Sequence, residues 1–123
     1  MSALVAEPMI EAELWVSFVS LLRSYAAAAS LSLKVPAGVE VGEGSVAIIA
    51  GDARTDFRFD PATRRVESRK CSIAGDLLAC GSFEILLDGT IETGGSRQDM
   101  DHAAINLVWS ALEADERAQG GRQ

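Results

Sequence analysis

Apolar positions in the first part of the chain recur at helical spacing: Ile10, Leu14, Trp15, Phe18, Val19, Leu22, Tyr25, Ala26 and Ala29. Steps of three and four residues put them on adjoining rows of one helix. The rows Leu14-Phe18-Leu21-Tyr25 and Trp15-Val19-Leu22-Ala26 make a wide stripe. A sheet can cover one side of it; a second helix or a partner chain must cover the other. Glu7-Pro8 reads as the helix entry, because proline is pre-organised for the first helical position and Glu7, Glu11 and Glu13 suit the positive end of the dipole. Pro36 restricts Val35 and closes the helix near Leu33. Residues 1–6 and 118–123 are expected to fray.

Beyond Pro36 the period changes to two. The connector Val35–Gly44 has room for a short edge strand at Val39–Val41, and the apolar run Ser45–Ala50 reads as a buried strand. From Arg54 to Asp60, Thr55, Phe57 and Phe59 alternate with Asp56 and Arg58, the pattern of an antiparallel strand with one face in water. Asp60-Pro61-Ala62-Thr63 is a turn: aspartate accepts locally and proline fixes φ. The return strand, Arg64–Lys70, holds Val66 as its sole large aliphatic residue. Its many charges read as a solvated edge strand, protected against stray pairing. Ile73, Leu77 and Leu78, between Cys71 and Cys80, have the spacing of a single helical turn.

The sharpest local signal is Gly81–Thr93, two short strands folded about Asp88-Gly89. A two-residue loop pairs Leu87 with Thr90 and Leu86 with Ile91. A three-residue loop with Gly89 in a bulge pairs Leu86 with Thr90 and Ile85 with Ile91. The second register is preferred, since it gathers Phe83, Ile85 and Ile91 on one face. Gly94-Gly95 then releases the chain from the sheet. Ser96-Arg97-Gln98-Asp99 is a capping-box variant for a final helix, with Asp99 as the alternative cap. Met100, Ala103, Ala104, Leu107, Val108, Ala111 and Leu112 form its apolar stripe.

The predicted fold is therefore α+β in a single domain spanning residues 1–123. An antiparallel β-meander of four to five strands carries the N-terminal and C-terminal helices packed on one face.

Composition narrows the partners. The net charge is −7, from 18 acidic against 11 basic residues, which opposes docking on nucleic acid or on anionic membrane surfaces. No uninterrupted apolar run approaches the ~20 residues that span a bilayer, and Glu7, Glu11 and Glu13 interrupt any signal-like start. The expectation is a soluble cytoplasmic protein, in which Cys71 and Cys80 serve as reduced, small hydrophobic residues.

Candidate chemistry is sparse. His102 is the only histidine; beside Asp99 and Asp101 it can be read as an acid-base group, but without further partners a capping or exposed role fits better. Two cysteines and one histidine match no zinc spacing, so no metal is expected. Gly42-Glu43-Gly44 leads into a strand where a phosphate cradle needs a helix, so no cofactor is expected. Asp52, Asp56 and Asp60 read as charges on an open sheet face, and the basic cluster Arg64, Arg65, Arg69 and Lys70 as a solvated strand face. No catalytic residue emerges.

What remains is aromatic and apolar helix surface. Trp15, Phe18, Leu22, Tyr25 and Trp109 form a candidate interface, since aromatic side chains dominate interface energetics as well as core energetics. The sequence thus points to a non-catalytic protein-interaction module, a homodimeric adaptor or chaperone-like protein that binds a protein partner or itself. The alternative is a small-ligand-binding protein or enzyme with a pocket between sheet and helices, with His102 and Arg54 as polar-site candidates.

Overall fold

The computed structural model describes residues 2–33 and 36–120, with side chains described for 10–32 and 36–112. Its elements are α1 (Ser2–Leu33), β1 (Ala37–Gly42), β2 (Ser45–Ala50), β3 (Ala53–Asp60), β4 (Arg65–Ser72), β5 (Leu77–Ile85), β6 (Thr90–Thr93), β7 (Ser96–Asp99) and α2 (Met100–Gly120). The α+β class holds, and the strands form one antiparallel meander in chain order. Among the described residues there are seven strands, more than the four to five expected.

Both additions lie at the edges. Val39–Val41 extends into β1, which pairs along its whole length with β2. At the other edge, Gly94-Gly95 does not release the chain. With φ of 54° and 87°, the two glycines make a tight turn of the kind that returns a strand on itself. Ser96–Asp99 thus becomes β7 against β6, and the last helix starts after it. Asp99, the alternative cap, is the cap: its Oδ1 accepts the His102 backbone N–H at 2.7 Å. β7 has no apolar alternation, so pattern alone could not reveal it. At the other terminus α1 begins at Ser2, ahead of the Glu7-Pro8 entry.

The Asp88-Gly89 hairpin takes the three-residue register. Ile85 stands opposite Ile91, the Leu86 N–H donates to the Thr90 carbonyl at 2.8 Å, and Gly89 has φ 89°. Phe83, Ile85 and Ile91 are all buried.

Two other expectations fail. Residues 71–80 contain no helical turn: β4 runs on to Ser72, a short turn is closed by the Ser72 N–H on the Asp76 carbonyl, and β5 starts at Leu77. Apolar spacing of four over so few residues does not distinguish a helical turn from a hairpin tip. β4 is also not an edge strand; it lies in the middle of the sheet. Its charges have another cause. Asp56 stands opposite Arg69, Arg58 opposite Glu67, and Asp60 opposite Arg65. These rows of opposite sign lie on the sheet face that no helix covers. Such pairs each contribute roughly 0.2–1 kcal/mol and penalise a slipped register.

The other face carries both helices. Trp15, Phe18, Val19, Leu22, Ala26 and Ala29 of α1 and Met100, Ala103, Ala104, Val108, Ala111 and Leu112 of α2 are buried together with Val46, Ile48, Phe57, Phe59, Val66, Phe83, Ile85 and Ile91. Trp15 stacks on Phe59 with ring centroids 5.0 Å apart, and Phe18 lies 5.5 Å from Phe83. Each such side chain contributes about 1.5–3 kcal/mol when fully buried. The second cover that α1 required comes from α2, and Tyr25 Oη donates to Asp101 Oδ1 at 2.8 Å between the two helices.

Candidate functional site: a cleft between the sheet and α2

On the helix-bearing face of β4, Val66, Ser68 and Lys70 point inward in alternation. Directly opposite Ser68 and Lys70, β5 supplies Gly81 and Ala79. Two small residues at these positions leave the sheet surface low beneath α2. A register shift after Lys70 interrupts the alternation, and Leu78 and Ala79 both line the same hollow. Such bulges re-aim side chains. The result is a cleft of about 350 Å³ bounded by Thr55, Phe57, Ser68, Lys70, Leu78, Ala79 and Cys80 of the sheet and by Leu107, Ser110 and Ala111 of α2. Volumes of this order hold small molecules.

Its polar groups fall into two sets. Lys70 is buried at 6% exposure, and its Nζ donates to the α2 carbonyl oxygens of Ser110 at 2.9 Å and Ala111 at 2.6 Å. A buried ammonium demands such partners, because desolvating it alone would be prohibitive. Lys70 is thus a strut between β4 and α2. The hydroxyls of Thr55 and Ser68 form the other set. Thr55 is 8% exposed, yet neither side chain has a hydrogen-bond partner among the described residues. A buried hydroxyl gains about 0.5–1.5 kcal/mol from a net hydrogen bond, so both are open to an acceptor or donor that enters the cleft.

The residues singled out from sequence lie elsewhere. Trp15, Phe18 and Leu22 belong to the chain's own core, Tyr25 is half-buried beside α2, and Trp109 is 37% exposed. His102 is exposed on the first turn of α2, with Nδ1 3.6 Å from Asp99 Oδ1. Arg54 projects from the helix-free face, where it bridges Glu40 at 3.1 Å and Asp56 at 3.1 Å. Glu40 and Asp56 both flank Ala47 in register. The bridge therefore passes over Ala47, which is buried although it belongs to the open face. His102 and Arg54 are on opposite sides of the sheet and neither lines the cleft. Asp60 accepts the Ala62 N–H within its turn, so Asp56 and Asp60 are each engaged locally and form no carboxylate pair. Cys71 is half-buried and Cys80 exposed, both free; their opposite numbers are Leu77 and Arg69, so they do not face each other. No group of three potential metal ligands occurs among the described residues.

Sequence reasoning missed the cleft because the charges of β4 were read together. The signal lay in phase: once Val66 is inward, Ser68 and Lys70 must be inward too. One helix stretch, Ile10–Ser32, is long and apolar enough by length and composition to cross a membrane, with mean hydropathy 1.3. In this structure its inward residues build the core. No protein-family model, curated protein or solved structure matches the chain.

Proposed function

We propose that this protein is a small-ligand-binding domain, and that the cleft between β3–β5 and α2 receives an amphiphilic molecule. The observation that carries this reading is the pairing of apolar walls with the open hydroxyls of Thr55 and Ser68. Phe57, Leu78, Leu107 and Ala111 offer an apolar body its contact area, and the hydroxyls offer an oxygen-bearing head its hydrogen bonds. Lys70 holds the roof in place. The cleft lining sets no carboxylate or imidazole beside the Thr55 and Ser68 hydroxyls, which favours binding over turnover as the reading of this site.

Decanol and decanoate, titrated against amide-resolved NMR spectra, test this. Saturable shifts centred on Thr55, Ser68, Ala79 and Leu107, lost in a Leu78→Trp variant that fills the cleft, are expected. Shifts spread over the whole surface, or retained in L78W, would remove the cleft as the site.

A second reading, a non-catalytic protein-interaction module, is favoured by a separate observation. Ile73, Leu77 and Leu78 around the β4–β5 turn are 75%, 53% and 48% exposed. Together they form an apolar tip next to the cleft mouth, the type of surface that interfaces cover.

A further inference from the structure

The two edges of the sheet are not alike. β7 is four residues long, two of them charged, and Asp99 is committed to capping α2. Short, charged edges resist pairing with other chains. β1 is six residues long, Ala-Gly-Val-Glu-Val-Gly, with no proline, lysine or bulge. Its one charge, Glu40, is drawn onto the open face by Arg54 at 3.1 Å. One side of β1 pairs with β2; among the described residues no strand pairs with the other side. Val41 stands opposite the fully buried Val46, yet it is 55% exposed. The core therefore continues to this edge and stops there uncovered.

We propose that β1 is a self-association edge, at which a second copy of this chain pairs antiparallel about a two-fold axis and joins the two sheets into one. The side chains choose the register. Ala37, Val39 and Val41 face the helix side; Gly38, Glu40 and Gly42 face the other. An axis through Val39 sets Val41 opposite Ala37 of the second copy and Glu40 opposite Gly38. The exposed valine gains an apolar neighbour, and glycine leaves room for the Glu40–Arg54 pair. An axis through Glu40 would instead set two carboxylates opposite each other, which is destabilising. Residue-centred pairing at Val39 matches residues of like parity, so it engages whichever backbone groups β2 leaves unused. α1 packs over β1, and the outward residues of its last turns include Ala27, Ala28 and Leu31, the last 81% exposed.

Sedimentation equilibrium and a crosslink test this on the full chain. The wild type is expected at twice 13.0 kDa at micromolar to millimolar concentration, and Val41→Lys, which places a lysine on an exposed position of the edge, is expected to shift it to monomer with an unchanged far-UV spectrum. In a background with C71S and C80S, V39C is expected to form a disulfide-linked dimer on mild oxidation, because directly opposed residues fall within the Cα separation that disulfides need. A monomer at every concentration would overturn the proposal. So would a dimer that tolerates V41K and gives no V39C crosslink, which would place the contact on another surface. Neither substitution lies in the ligand cleft, so loss of this interface and failure of ligand binding are independent results.

Discussion

Lys70 Nζ lies 2.6 Å from the carbonyl oxygen of Ala111, joining the central strand of the sheet to the middle of α2. Charge-assisted hydrogen bonds of this kind contribute about 1.5–3 kcal/mol each, and the lysine stem adds packing. Lys70→Ala is therefore expected to lower stability by about 2–4 kcal/mol in urea denaturation, with α2 losing amide-exchange protection first. Lys70→Met, which keeps the stem, is expected to cost less. Equal losses for the two would assign the effect to the charge alone.

Tyr25 is the only tyrosine, so its ionisation can be read directly at 295 nm. Its hydrogen bond to Asp101 raises its pKa above the ordinary 10.0, with burial and the charges of Asp101 and Asp99 acting in the same direction. The folded state holds the proton more tightly than the unfolded state. The stabilisation is thus fully present below pH 10.0 and is lost as pH rises through the folded-state value. The expected midpoint lies above that of free tyrosine and falls back toward it in Asp101→Asn. A midpoint that D101N leaves in place would mean that the bond does not persist in solution.

Phe18 is fully buried between Phe57 and Phe83. Phe18→Ala is expected to cost about 3–5 kcal/mol through lost transfer energy and the cavity left behind. Val16, on the opposite side of α1 from Phe18 and 61% exposed, should tolerate alanine within about 0.5 kcal/mol. Comparable losses at both positions would show that the outward side of α1 is covered in solution.

The start of α2 provides a further contrast. Asp99→Ala removes the cap and should cost about 0.5–2 kcal/mol, whereas Ser96→Ala, in β7, and His102→Ala, on the exposed turn, should each stay within about 0.5 kcal/mol. Thermal denaturation of the three variants ranks them. A larger loss for S96A than for D99A would restore Ser96 as the helix start.

The amino-acid order disclosed those parts of this fold whose signal is local. Phe83, Ile85 and Ile91 declare their shared face through the glycine of one turn, and Trp15, Phe18 and Leu22 declare a helix face through their spacing. β7 has neither kind of signal: Ser96-Arg97-Gln98-Asp99 is a strand because Gly94-Gly95 aims it at β6. The charges of β4 misled for a related reason. Arg65, Glu67 and Arg69 meet partners on β3, and only the assembled sheet shows that they mark its open face and not its margin. The cleft was hidden for the same cause, since Gly81 and Ala79 matter through what they fail to fill beside Ser68 and Lys70.

The two covering helices flank the meander in chain order, one before β1 and one after β7, and the bond from Tyr25 to Asp101 spans 76 positions. Each strand can pair with the one made just before it, so the meander can assemble as it leaves the ribosome. Its inward face cannot be finished then. Until α2 emerges, Phe57, Ile85 and Ile91 have only α1 above them, and the nascent sheet exposes an apolar surface. A chain halted before Met100 would be a sheet with half a lid, the form of this molecule that a holdase or a protease would meet first.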